Sequence, residues 1–99
     1  MKKPETKLGE KVDLYLLAKG GTWLNIHGGP MQKSGWPDRI GCYKGCFIGI
    51  ELKVPGKEAT ALQNRRLKQI RENGGLTAVC KTLDEVKNFI SAVDKSLQV

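Results

Sequence analysis

The chain is 99 residues long and carries a formal net charge of +7, from 17 Lys and Arg against 10 Asp and Glu. Its 39% hydrophobic and 27% charged composition, with mean hydropathy −0.37, excludes a disordered chain, and no stretch approaches the roughly 18 apolar residues of a membrane helix. One small domain over residues 1–99 is expected, with a modest core and a surplus of positive charge that favours a polyanionic partner.

Residues 5–19 read as a helix, because Leu8, Val12, Tyr15 and Leu16 follow helical spacing and Gly20 and Gly21 end the run. Residues 22–27 look like a short strand, broken by Gly28, Gly29 and Pro30. Residues 31–36 are loop-like. Two apolar segments follow, 38–43 and 46–54, separated by Lys44 and Gly45, which reads as a hairpin. Pro55 and Gly56 stop the second strand. Thr60 and Gln63 fit a capping box opening a helix that runs to about Asn73, before Gly74 and Gly75. Residues 76–80 form a short buried strand. Thr82 and Glu85 suggest a second capping box, opening a helix with Val86, Phe89, Ile90 and Val93 on one face.

A two-residue loop at Lys44 and Gly45 sets a register. Tyr43 then pairs with Cys46, Cys42 with Phe47, and Asp38 falls opposite Glu51. Directly opposed residues share a face, with Cβ atoms about 4.5–5.5 Å apart. Alternation puts Lys53 on the face of Glu51 and turns Leu52 away. Two adjacent carboxylates repel unless a counter-charge intervenes, and a hard divalent cation supplies one. A cation there lowers the pKa of a bound water and neutralises charge on a phosphodiester under attack, and Lys53 is placed to orient or deprotonate the nucleophile or to stabilise the phosphoryl oxygens. On geometry alone, a solvated cross-strand ion pair is the commoner outcome of such a pattern, and a bulge would break the register.

Pro37 and Asp38, a spacing of 12 residues, then Glu51, Leu52 and Lys53, resemble the PD-(D/E)XK nuclease motif. The run from Ser34 to Arg39 (Ser-Gly-Trp-Pro-Asp-Arg), Ile50 to Lys53, Thr60 with Gln63, and Gly74 and Gly75 before an apolar strand resemble the VRR-NUC branch. Small standalone members of that branch occur in bacteriophages and bacteria. The resemblance covers about residues 8–85. It implies an α/β (α+β) fold with a restriction-endonuclease-like core: a mixed, four-stranded central sheet flanked by helices, in the order αβββαβα. It implies Asp38 and Glu51 as metal ligands, helped by the Leu52 carbonyl, with Glu10 as an additional acid near the metal. Lys53 would be the catalytic lysine, with Gln63 beside the active site. The implied cofactor is Mg²⁺ or Mn²⁺, and the implied reaction is structure-selective hydrolysis of DNA, at Holliday junctions or other branched forms, by a homodimer. Where the branch often has Val-Arg-Arg, this chain has Ala78, Val79, Cys80 and Lys81, so only one basic group remains there.

Arg65, Arg66, Lys68 and Arg71 crowd one helix, either as a solvated face or as a phosphate-contacting ridge. Lys33 and Arg39 flank the acidic motif and extend the nucleic-acid-binding set of Arg65 and Arg66. His27 reads as structural, Trp23 and Trp36 as anchors, and Cys42 and Cys46 as small buried hydrophobes lacking the partners a zinc site needs. Three cysteines and a start without an apolar run point to a reducing cytoplasm; no small-molecule cofactor and no membrane association are expected. The rival readings are a non-catalytic DNA-binding module of the same fold and a structural domain with incidental charge.

Overall fold

The computed structural model describes residues 1–26 and 35–97. Its elements are α1 (Pro4–Lys19), β1 (Thr22–Asn25), β2 (Arg39–Tyr43), β3 (Cys46–Leu52), α2 (Ala61–Glu72), β4 (Leu76–Cys80) and α3 (Leu83–Ser96). The four strands form one sheet in the order β1-β2-β3-β4. The first two pairings are antiparallel and the last is parallel, so the sheet is mixed. The parallel pair needs a crossover, and α2 is that crossover. The element order is the expected αβββαβα, an α+β fold.

The β2–β3 hairpin turns on Lys44 (φ 51°) and Gly45 (φ 83°). Two successive positive φ values are the signature of a type I′ turn, whose twist matches that of the flanking strands. The register follows from it: Tyr43 pairs with Cys46, Cys42 with Phe47, and Arg39 with Ile50. Alternation gives the sheet two unlike faces. Ile48, Ile50, Tyr43 and Cys80 are buried against Val12 and Leu16 of α1 and Val86, Ile90 and Val93 of α3. On the other face Gly49 lies under Pro37, Ile70 and Thr77, where α2 packs with Leu67 and Ile70 buried.

Thr60 caps α2 reciprocally: Thr60 Oγ1 accepts from the Gln63 N–H (3.1 Å) and Gln63 Oε1 from the Thr60 N–H (2.8 Å). The second expected capping box is only half formed. Thr82 Oγ1 accepts from the Glu85 N–H, but Glu85 Oε1 takes the N–H of Lys81, at 2.6 Å, in place of that of Thr82. Cys42 also departs from expectation: it is exposed, because its side chain alternates away from the core that buries Tyr43, while Cys46 is half-buried. Trp23 anchors as expected, donating to Gly20 O at 2.8 Å and stacking on Tyr43. His27 lies outside the described residues.

Asp94 ties three elements together. Its carboxylate accepts from Tyr43 Oη (2.6 Å), Lys44 Nζ (2.9 Å) and Lys19 Nζ (3.0 Å). These donors, the Tyr43 hydroxyl foremost, hold the Asp94 carboxyl well below the usual carboxylate range. A depressed folded-state pKa stabilises the protein above the unfolded value, near 4, and the benefit is lost as pH falls below it. Asp94→Asn is therefore expected to lower Tm by several degrees at pH 7, with the gap to wild type narrowing at pH 3; thermal melts at the two pH values check it.

Candidate active site

The expected pair of carboxylates meets at the end of the hairpin. Asp38 precedes β2 by one residue, and its main chain is held on both sides. Its carbonyl accepts from the Ile26 N–H (3.1 Å), prolonging the β1 ladder, and its N–H donates to Glu51 Oε1 (3.1 Å). Asp38 Oδ2 in turn accepts from the Leu52 N–H at 2.9 Å. Asp38 and Glu51 thus grip each other's strands by side chain and backbone, as the Lys44-Gly45 register requires.

Glu51 is 1% exposed. Its Oε2 is buried and receives no hydrogen bond among the described residues. Lys53 Nζ stands 3.7 Å from that oxygen, close enough for charge attraction but too far for a hydrogen bond. Burial first, and then the Asp38 carboxyl beside it, push the Glu51 pKa up to about 8; Lys53 and the Asp38 N–H pull only partly in the opposite direction. A buried carboxylate oxygen without a donor is costly in free energy, and such an atom invites a cation.

These groups open into a cleft of about 600 Å³, walled by the start of α1, the loop after β3, and Gln63. Glu10 lines the same cleft but does not complete a cluster with the two carboxylates. It is 50% exposed and pairs with Lys2 Nζ at 2.7 Å. Helix α1 packs on the sheet face opposite the Glu51 side chain, so Glu10 approaches only around the sheet's end. Among the described residues no three His, Cys, Asp or Glu side chains are gathered closely enough to hold a metal ion. Gln63 reaches the cleft wall with its Oε1 already committed to the Thr60 N–H.

The expected DNA-contacting residues separate. Arg39 is 5% exposed and gives Asp13 a two-pronged ion pair, from Nε to Oδ1 (2.6 Å) and from Nη2 to Oδ2 (3.1 Å). Its pairing with Ile50 turns it into the α1 face, away from solvent, so it has no surface to offer a phosphate. Arg65 is exposed on α2. Arg66 lies over the Trp36 ring, 5.3 Å from its centroid, and donates to Gln69 Oε1 at 3.1 Å. Arg71 donates to Thr77 Oγ1, and Lys81 pairs with Glu58. Lys33 lies outside the described residues. Lys3 and Lys57, not anticipated from sequence, both line the cleft. Only their net positive charge was visible in the sequence.

No protein-family model and no curated protein matches the sequence. Among solved structures, a chain described as "VRR_NUC domain" superposes with a TM-score of 0.76 at 20% identity, covering 91% of this chain and 97% of that one. A second, described as "VRR_NUC domain protein", superposes with a TM-score of 0.66 at 21% identity, covering 99% and 91%. The fold is that of VRR_NUC domains, as the motif resemblance implies. No helix among the described residues is long and apolar enough to cross a membrane.

Proposed function

We propose that this chain is a divalent-metal-dependent DNA endonuclease that hydrolyses phosphodiester bonds at the Asp38–Glu51–Lys53 site. The observation that carries the reading is Glu51 Oε2: buried, without a donor among the described residues, and flanked by a second carboxylate and a lysine. A hard cation such as Mg²⁺ or Mn²⁺ fits this oxygen-rich set and keeps several waters, so two carboxylates suffice. Asp38 and Glu51 are the proposed metal ligands, with the Leu52 carbonyl as a third; Glu10, which lines the same cleft, is the proposed additional acid near the metal. When bound, the cation supplies Lewis acidity toward the phosphoryl oxygens and neutralises their charge.

The chain's own residues do the rest. Lys53, 20% exposed and so largely desolvated, offers its ammonium to the phosphoryl oxygen on which charge develops, or holds the attacking water. Gln63 shapes the wall beside it. Two adjacent carboxyls with a lysine beside them are the set that a cation and a scissile phosphate need, which weighs against the non-catalytic reading. The reading extends to branched DNA, including Holliday junctions, as the preferred substrate and to a homodimer that presents two sites to two strands, acting in the cytoplasm without a small-molecule cofactor. Incubation of the chain with supercoiled plasmid and with a four-way junction in Mg²⁺ tests the first point: faster cleavage of the junction is expected, and equal rates would remove the structure selectivity. Light scattering at micromolar concentration tests the dimer; a monomeric mass would contradict it.

Arg65 is the proposed phosphate contact on α2, with Arg66 behind it and Lys33 extending the set. Because Arg66 also supports Trp36, Arg65→Glu is the cleaner test. It is expected to weaken DNA binding and to flatten the slope of log Kd against log salt by about one. Fluorescence anisotropy across a salt series measures it, and an unchanged slope takes Arg65 out of the interface.

A further inference from the structure

Asp13 and Arg39 form an ion pair, with a buried guanidinium and a half-exposed carboxylate, that reaches the main chain of the candidate metal site. Arg39 Nη1 donates to Asp38 O at 3.2 Å while Nε and Nη2 hold Asp13. The same carbonyl accepts from Ile26, and the Asp38 N–H donates to Glu51 Oε1. Arg39 therefore braces the peptide whose neighbouring groups set the distance between the two carboxylates.

The third member of this arrangement is Gly9. It is buried in the middle of α1, four residues before Asp13 and so on the same helix face. A Cβ at position 9 would stand 2.8 Å from Arg39 Nη2. A glycine inside a helix weakens it, and burying a guanidinium is costly. Both costs fall at one spot, where the missing side chain makes the notch that lets Arg39 lie across α1 and reach Asp13.

We propose that Asp13 and Arg39, seated in the Gly9 notch, are positioning residues that hold the Asp38 peptide so that the Asp38 and Glu51 carboxylates keep their metal-binding separation. This inference rests on the nuclease reading. It assigns Arg39 a role through Asp38, not a contact with DNA, and it gives Asp13 a part that neither its sequence position nor its half-exposed carboxylate suggests.

The test measures Mn²⁺ binding by isothermal titration calorimetry, alongside kcat and KM for DNA cleavage, on wild type, Asp13→Asn, Arg39→Lys, Gly9→Ala and Asp13→Glu. Disturbing groups that orient metal ligands typically weakens metal affinity about 10- to 100-fold. Asp13→Asn, Arg39→Lys and Gly9→Ala are expected to raise the Mn²⁺ Kd about tenfold and to lower kcat with KM for DNA unchanged, and Asp13→Glu is expected to recover part of the affinity. A lower Tm with wild-type Mn²⁺ affinity and kcat would make the pair a simple brace between α1 and the sheet and overturn the proposal. A raised KM with unchanged kcat and Mn²⁺ affinity would overturn it in favour of a DNA contact. If Asp13→Asn does not fold, Arg39→Lys, which keeps the charge, decides by the same two measurements. Wild type that binds no Mn²⁺ and cuts nothing would remove the nuclease reading and this proposal together, whereas active wild type with unaffected variants removes the positioning role alone.

Discussion

Asp38→Asn and Lys53→Ala are each expected to lower the single-turnover rate of DNA cleavage by about 10²- to 10⁴-fold, the range for loss of a positioned acid–base or electrostatic group. The two substitutions act differently. An asparagine at position 38 keeps an oxygen to accept from the Leu52 N–H, so the strand entry should stay closed, but it removes one of the two charges offered to a cation. Its loss should be partly relieved by higher metal concentration. Lys53→Ala leaves both carboxylates in place and removes the ammonium 3.7 Å from Glu51 Oε2, so extra metal should not help. Saturating-enzyme kinetics across a Mg²⁺ series separate the two patterns. Rates within threefold of wild type for both variants would mean that the chemistry lies elsewhere.

Glu51→Gln is expected to abolish cleavage and at the same time to stabilise the metal-free protein above pH 8. The sign follows from the titration. The folded-state pKa of Glu51 is raised from 4.5 to about 8, by burial and by the neighbouring Asp38 carboxyl. The folded chain therefore holds this proton more tightly than the unfolded chain does. The resulting stability is fully present below about pH 4.5 and is lost as pH rises through about 8. In EDTA, the wild-type Tm should fall between pH 5 and pH 9, whereas the Glu51→Gln variant should change little over that window and melt higher than wild type at pH 9. Mg²⁺ should restore the wild-type Tm at pH 9 and raise the variant's far less, because the variant offers the ion the Asp38 carboxylate alone. A variant less stable than wild type across the whole range would show that Glu51 is satisfied in the fold as it stands.

The parts of the fold legible in the sequence are those set by local rules. Lys44 and Gly45 dictate the turn, the turn dictates the register, and the register brings Asp38 to Glu51. Thr60 and Gln63 close a cap within four residues of chain. What escaped depended on groups distant in sequence. Asp13 and Arg39 are 26 residues apart, and their pairing depends on a notch at Gly9 that no motif marks. Arg39 looked like a surface cation because it follows Asp38, yet strand alternation sends it into the α1 face. Glu10 shares the cleft but pairs with Lys2, since α1 lies across the sheet from Glu51. Glu85 found a nearer donor in Lys81 than in its own cap residue, a choice made by the local path of the chain between β4 and α3. Lys3 and Lys57 converge on one cleft only because α1 and the loop after β3 meet at the end of the sheet.

If Asp38 and Glu51 hold a divalent ion beside Lys53, DNA hydrolysis by this chain depends on that ion. Gel analysis of DNA incubated with the wild-type chain, in Mg²⁺ and in EDTA, tests it most directly. Nicked or cut products are expected in Mg²⁺ and intact DNA in EDTA. Intact DNA in both, or equal cleavage in both, would contradict it.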